Sequence, residues 1–137
     1  MLLNCLIYEV QKGIFTMTID DFLNKMIFFS PGMRGKISEH ISVYGEQLNT
    51  VVVEDIIMPE IIRLLNKELE DEKLKAIFSY FEEVSVGADK NLHDVFMITA
   101  LEVLGNDDQL LEKARQYMGP MTRKLQMEAD AVLGRQV

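Results

Sequence analysis

The side chains that could do chemistry in this sequence are few, and their spacing does not bring them together. Two histidines, His40 and His93, and one cysteine, Cys5, are widely separated along the chain. Nucleophilic catalysis needs a nucleophile, a base and a third group that orients the base. Nothing around Cys5 resembles an activated thiol, and Cys5 is far in sequence from both histidines. Zinc sites on helices pair ligands one turn apart, with further donors close by. Glu39-His40 and His93-Asp94 offer no such pair. A di-iron bundle would need a glutamate three residues before a histidine, where this chain has Ile37 and Lys90. No phosphate loop, dinucleotide fingerprint or nucleophile elbow occurs, and the glycines read as helix-end caps. The sequence predicts no catalytic residue, no metal and no cofactor.

What remains is carboxylate. Three acidic pairs bear on a site: Glu54-Asp55, Glu82-Glu83 and Asp107-Asp108. The first and third fall where a helix start, with its positive dipole end, favours anions. Glu82-Glu83 falls late in a predicted helix, where the dipole disfavours acids, so it is assigned to a partner-binding face. Tyr80 lies off the apolar stripe of the same helix, either as an exposed anchor beside Glu83 or as a boundary residue with its hydroxyl in water. The second is preferred, since tyrosine commonly sits half-buried. The candidate partner contacts are Glu54, Asp55, Tyr80, Glu82, Glu83, Asp107 and Asp108.

Charge supports a binding role of a particular sign. The net charge of the 137 residues is −8, and it is concentrated: residues 54–112 carry 15 acids against 5 bases, residues 113–137 carry 2 against 5. Such a body repels phosphates, which argues against nucleic acid, and it suits a basic protein partner. The plainer reading is that acidic helix faces only keep the protein soluble. The aromatics do not interleave with Lys or Arg, so no stacking platform for single strands is expected.

The elements that must position these residues are helices. With 48% hydrophobic and 26% charged residues, the chain is predicted to bury one core without staples. Thr18 should cap a helix with Phe22, Leu23, Met26 and Ile27 on one face; Ser30-Pro31-Gly32 breaks it. A weaker helix follows over Met33 to Tyr44. Val51-Val52-Val53 reads as a loop or a lead-in. Pro59 is tolerated in a first turn, so the next helix should start between Glu54 and Met58 and end near Lys67. Leu74, Ile77, Phe78, Phe81 and Val84 form the clearest stripe, ended at Gly87. Asp89 caps a helix over 90–104 that is apolar nearly all round, hence surrounded by others. Asp107 caps a helix over 108–118. Gly119-Pro120 starts the last one, with Met121, Leu125, Ala129 and Val132 inward.

These patterns predict an all-α fold of six to seven helices, an antiparallel bundle or a short HEAT-like solenoid array, over residues 17–137. Residues 1–16 are read as an N-terminal extension, with Met17 a plausible natural start. No stretch approaches the roughly 20 apolar residues of a membrane span, and "MLLNCLIYEV" lacks a basic leader, so a cytoplasmic protein without membrane contact is expected. A homodimer could cover Phe28 and Phe29.

Together "MTIDDFL", "EDIIMPEIIRLLN", "FEEV", "ITALEVLGND" and "ARQYMGPMTRKL" resemble an uncharacterised bacterial family of small acidic helical proteins, over about Met17 to Arg135. In texture the chain is similar to the helical-repeat immunity proteins that accompany bacterial toxins. The resemblance implies an all-α cytoplasmic protein and brings no active site. The expected function is a non-enzymatic protein-binding domain, an immunity or antitoxin-like inhibitor with an acidic face. The alternative is a small-molecule-binding helical domain, with a pocket near His93 and Tyr117 lined by Met97, Met118 and Met121.

Overall fold

The computed structural model describes residues 16–67 and 70–134. Among them the chain forms seven helices: α1 (Ile19–Phe29), α2 (Met33–Tyr44), α3, α4 (Asp71–Gly87), α5, α6 (Asp108–Arg115) and α7 (Pro120–Val132). Two of the seven change register on the way. In α3, Asn49–Val52 leads through a π turn at Val53–Ile57 into Met58–Lys67. In α5, Lys90–Val95 leads through a π turn at Phe96–Ala100 into Leu101–Gly105.

The starts follow the capping chemistry. Thr18 opens α1 with a reciprocal box: Asp21 N donates to Thr18 Oγ1 at 3.2 Å, and Thr18 N to Asp21 Oδ2 at 2.9 Å. Asp89 accepts from Leu92 N at the start of α5, and Asp107 accepts from Gln109 N and Leu110 N at the start of α6. Gly45 ends α2 at φ 77°, a left-handed conformation that a side chain would resist.

The apolar helix α5 is the centre of the bundle. It packs on α1, α3, α6 and α7. Leu92, Phe96, Ala100, Leu101 and Leu104 are buried from it. Phe81 of α4 meets Phe96 edge-on at 5.3 Å between ring centres, and Phe22 of α1 stacks on Phe81 at 6.2 Å. Because α1 also reaches α4 and α3 reaches α6, packing extends beyond sequence neighbours, as in a bundle. Met17 is tied in too: its N–H donates to Gly87 O at 2.9 Å and its carbonyl accepts from Asp89 N at 2.8 Å. Of the expected extension, residues 1–15 lie outside the described residues.

Three expectations are corrected. Val51–Val53 is neither loop nor lead-in, because α3 already begins at Asn49. A β-branched residue costs a helix at most about 0.7 kcal/mol, whereas burying a valine side chain is worth roughly 1.5–3 kcal/mol. Val52 and Val53 are fully buried, so burial wins. Pro59 accordingly lies deep in the helix. It directly follows the π turn, where Met58 N bonds to Val53 O rather than one turn back to Glu54 O. That widened turn takes a ring that would press on a carbonyl in a regular helix. The third correction is α7. Leu125 and Ala129 face inward as expected, but Met121 and Val132 are exposed, and Thr122, Gln126 and Asp130 are buried in their place. Gln126 Nε2 donates to Leu101 O at 2.9 Å and to Asp130 Oδ1 at 3.0 Å, so hydrogen bonds hold this face where apolar contacts were expected, while Gln126 Oε1 has no hydrogen-bond partner among the described residues.

Candidate partner-binding surface

The seven candidate contacts do not share one face. Glu82 has an internal role that local sequence could not suggest. Its Oε1 accepts from Thr122 N at 2.8 Å and Thr122 Oγ1 at 2.9 Å, and its Oε2 from Met121 N at 2.9 Å. Gly119, the residue before α7, has no side chain to cap that helix. Glu82 caps it from α4 instead. A Cβ on Gly119 would fall 2.6 Å from Glu82 Cδ, so the glycine is what lets the carboxylate approach. Partial burial pushes the Glu82 pKa up, but the three donors together outweigh it and hold it below the usual glutamate value.

Tyr80 is not an exposed anchor. It is buried, at 7% exposure, and its hydroxyl donates to Met17 Sδ at 3.2 Å. Phe22 stacks on its ring at 6.1 Å, and Lys25 Nζ lies 5.7 Å from its centre. Burial, and then the nearby Asp21 and Glu83 carboxylates, push its hydroxyl well above the ordinary tyrosine value. Glu83 remains exposed beside it. Asp107 caps α6 and Asp108 lies in that helix's first turn, as their types suggested. Glu54 and Asp55 are exposed but do not start a helix; they sit inside the π turn of α3.

The two histidines are held by local contacts. His40 is buried, its Nε2 accepting from Leu48 N at 3.1 Å and its ring 4.7 Å from that of Tyr44. His93 Nδ1 lies 3.6 Å from Asp94 Oδ1. Tyr117 lines an open cleft of 410 Å³ with Asp71, Lys75 and Gln116, and donates to Asp71 Oδ1 at 2.7 Å. That bond first, and Lys75 second, lower the Asp71 pKa. His93 does not line this cleft, Met118 is core, and Met97 belongs to a different depression, so the expected methionine pocket is not assembled there. Among the described residues no three potential metal ligands converge, and no helix is long and apolar enough to cross a membrane.

One surface that combines apolar and acidic groups lies where the π turns of α3 and α5 pack together. A cleft of 190 Å³ there is lined by Glu54 from α3, by Ile98, Glu102 and Val103 from α5, and by Asn106 beyond it. Ile98 is 60% exposed on a helix that buries Leu92, Phe96, Ala100, Leu101 and Leu104. It and Glu102 also line a small depression with Met97, Val132 and Leu133. Val132 is 76% exposed and Leu133 45%, so apolar surface continues from α5 onto the end of α7. Of the seven candidates, Glu54 lines this seam, Asp55 follows it in the π turn, and Asp107 follows the lining Asn106. Sequence reading missed Ile98, Glu102 and Val132. Its only available signal was an apolar helix with more large residues than one buried face requires.

A family model for a domain of unknown function, DUF7674, matches residues 23–134, and the chain belongs to that family. No curated protein and no solved structure matches it.

Proposed function

For this member of DUF7674, we propose a non-enzymatic binding domain whose partner is a basic protein. The reading extends to an inhibitor of the immunity or antitoxin type, acting in the bacterial cytoplasm, on the strength of the resemblance in acidic helical texture. One observation carries the binding role: Ile98, Val132 and Leu133 stay exposed beside Glu54 and Glu102. Scattered exposed apolar residues are ordinary, but adjoining ones with a polar rim mark interaction sites. The net charge of −8 adds long-range attraction for a basic partner, which raises association rates more than final affinity. A second reading, a small polar ligand in the 410 Å³ cleft at Tyr117, rests on that cleft alone.

The test is capture from the source lysate with the purified chain as bait, at low and high salt. A stoichiometric basic protein that salt releases, and that Glu54→Lys with Glu102→Lys abolishes, supports the proposal. A bait that captures no protein but carries a small molecule by mass spectrometry, lost on Tyr117→Ala, sinks it in favour of the cleft.

A further inference from the structure

We infer that the corner between α1 and α4 binds a small quaternary ammonium compound of the choline class, in an aromatic cage that the chain's own Lys25 fills in its place. Lys25, Phe28 and Phe29 lie on α1 at the i, i+3 and i+4 spacing that puts side chains on one face. Tyr80 closes the group from α4. The Lys25 ammonium nitrogen lies 5.2 Å from the ring centre of Phe28, 5.5 Å from that of Phe29 and 5.7 Å from that of Tyr80. Phe29 is steeply inclined to both other rings, at 66° to Phe28 and 64° to Tyr80, so the three do not form one flat stack. A lysine over a single ring is common on protein surfaces. A cation within about 6 Å of three ring centres is the arrangement that recognises quaternary ammonium groups. One wall of the cage is held in place from behind: the Tyr80 hydroxyl donates to Met17 Sδ, and Phe22 stacks on the Tyr80 ring. The cage opens on a cleft of 480 Å³ walled by Met17, Asp21 and Asn24 beside Lys25, Phe28 and Tyr80. Asp21 on that wall, and exposed Glu83, whose charge reaches the Tyr80 hydroxyl, set two carboxylates against the one ammonium. A further cation is therefore attracted to this corner.

Lys25 marks the chemistry of the site without being its best occupant. Its side chain is exposed, and the ring contacts of an exposed lysine are weak. A primary ammonium is strongly hydrated and carries three N–H donors that ring faces serve poorly. A quaternary ammonium carries none, so it gives up less on leaving water and keeps the whole attraction of the rings. It displaces Lys25, which swings into solvent on its flexible stem. The cage shares no lining residue with the apolar strip at Ile98, so this inference goes beyond the basic-protein reading and stands or falls apart from it.

The probe is choline chloride, titrated at constant low ionic strength into the full chain carrying labelled methionine methyl groups and labelled Phe and Tyr rings, and followed by NMR. Dimethylbutanol, the neutral carbon isostere of choline, is the control. We expect saturable shifts at Met17, Phe28, Phe29 and Tyr80 with a Kd on the order of 1 mM, as suits so open a site, and none from the alcohol. Phe28→Leu keeps an apolar side chain at an exposed position but removes the ring face, and should weaken choline about fivefold. Lys25→Ala, also at an exposed position, empties the cage and should tighten choline about threefold, the worth of the ring contact that choline no longer has to break. An equal response to the alcohol would make this an ordinary apolar cleft and overturn the inference. So would the absence of any saturable shift, or a Lys25→Ala variant that binds choline more weakly, which would make Lys25 part of the wall. Binding of phosphatidylcholine vesicles without binding of free choline would overturn it too, and would assign the corner to a membrane surface.

Discussion

Replacing Glu82 tests whether a carboxylate on α4 starts α7. Two of its three accepted bonds come from Thr122, which is fully buried, and the third from Met121 N on an exposed residue that water can serve. The Thr122 hydroxyl keeps Ser85 Oγ at 3.0 Å after the loss. The cost of Glu82→Ala is therefore mainly one buried N–H left without an acceptor, about 1–3 kcal/mol, plus the lost charge at a helix N-terminus, about 0.3–1 kcal/mol. A loss of about 2–3 kcal/mol follows. Gly119→Ala should do nearly the same by a different route. Its new Cβ would meet Glu82 Cδ at 2.6 Å and expel the same carboxylate, less a gain of about 0.4–1 kcal/mol from a stiffer unfolded chain. Once the carboxylate is gone, the second change has nothing left to expel. The double variant should thus cost about what Glu82→Ala costs alone, not the sum. Urea unfolding followed by far-UV circular dichroism measures all three. The folded pKa of Glu82 lies below its unfolded value of 4.5, so its stabilisation is fully present above pH 4.5 and fades as pH falls through the lower folded value. The gap between wild type and Glu82→Ala should close on acidification. Additive single costs, or a Glu82→Ala variant as stable as wild type at neutral pH, would refute the cross-helix cap.

Other substitutions follow from the same contacts. Gln126→Leu removes the donor to Leu101 O and one hydrogen bond to the buried Asp130, and should cost about 1–3 kcal/mol in the same denaturation assay; a neutral result would mean the polar face of α7 is not needed. Asp107→Ala loses the cap of α6 and should cost about 1 kcal/mol by the same unfolding measurement. His40→Phe deprives Leu48 N of its acceptor at the start of α3 and should cost about 1–2 kcal/mol, with protection of the Leu48 amide against hydrogen exchange falling most. Pro59→Ala permits residues 53–57 to return to a regular register; the Ile98 methyl signal should then move in the NMR spectrum, and an unchanged spectrum would show that the π turn does not depend on the proline.

Most of the bundle was legible because its signals are local. Thr18, Asp89 and Asp107 cap the helices they were expected to cap, and the stripe Leu74, Ile77, Phe78, Phe81 and Val84 is buried in full. The seven candidate contacts were less legible, and the reason is physical. An acid late in a helix looks exposed when only its own dipole is considered. Glu82 is instead bound to the start of a helix some 40 residues on, a partner no spacing rule reveals. Tyr80 was displaced inward by the same kind of long-range contact, with Met17 and the ring of Phe22.

Two of the places where local rules failed adjoin one another. Val51–Val53 and Pro59 argued against a long helix at 49–67, and the outcome was a helix with a π turn. Met121 and Val132 were expected inside and lie outside, because Thr122 and Gln126 took the bonded positions. The first failure shapes the wall that carries Glu54; the second puts Val132 on the surface beside Ile98. A fold selected for stability alone would resolve both conflicts toward regular register and an apolar inner face. Here the π turn of α3 and the outward Val132 fall on one seam, where two π turns meet beneath an apolar strip edged with carboxylate. Register changes in helices are frequent at functional sites because they re-aim side chains without adding a loop. In α5 the turn at Phe96–Ala100 holds Phe96 and Ala100 in the core while Ile98, between them, faces solvent. That outward residue between two core positions is what the proposed binding surface rests on.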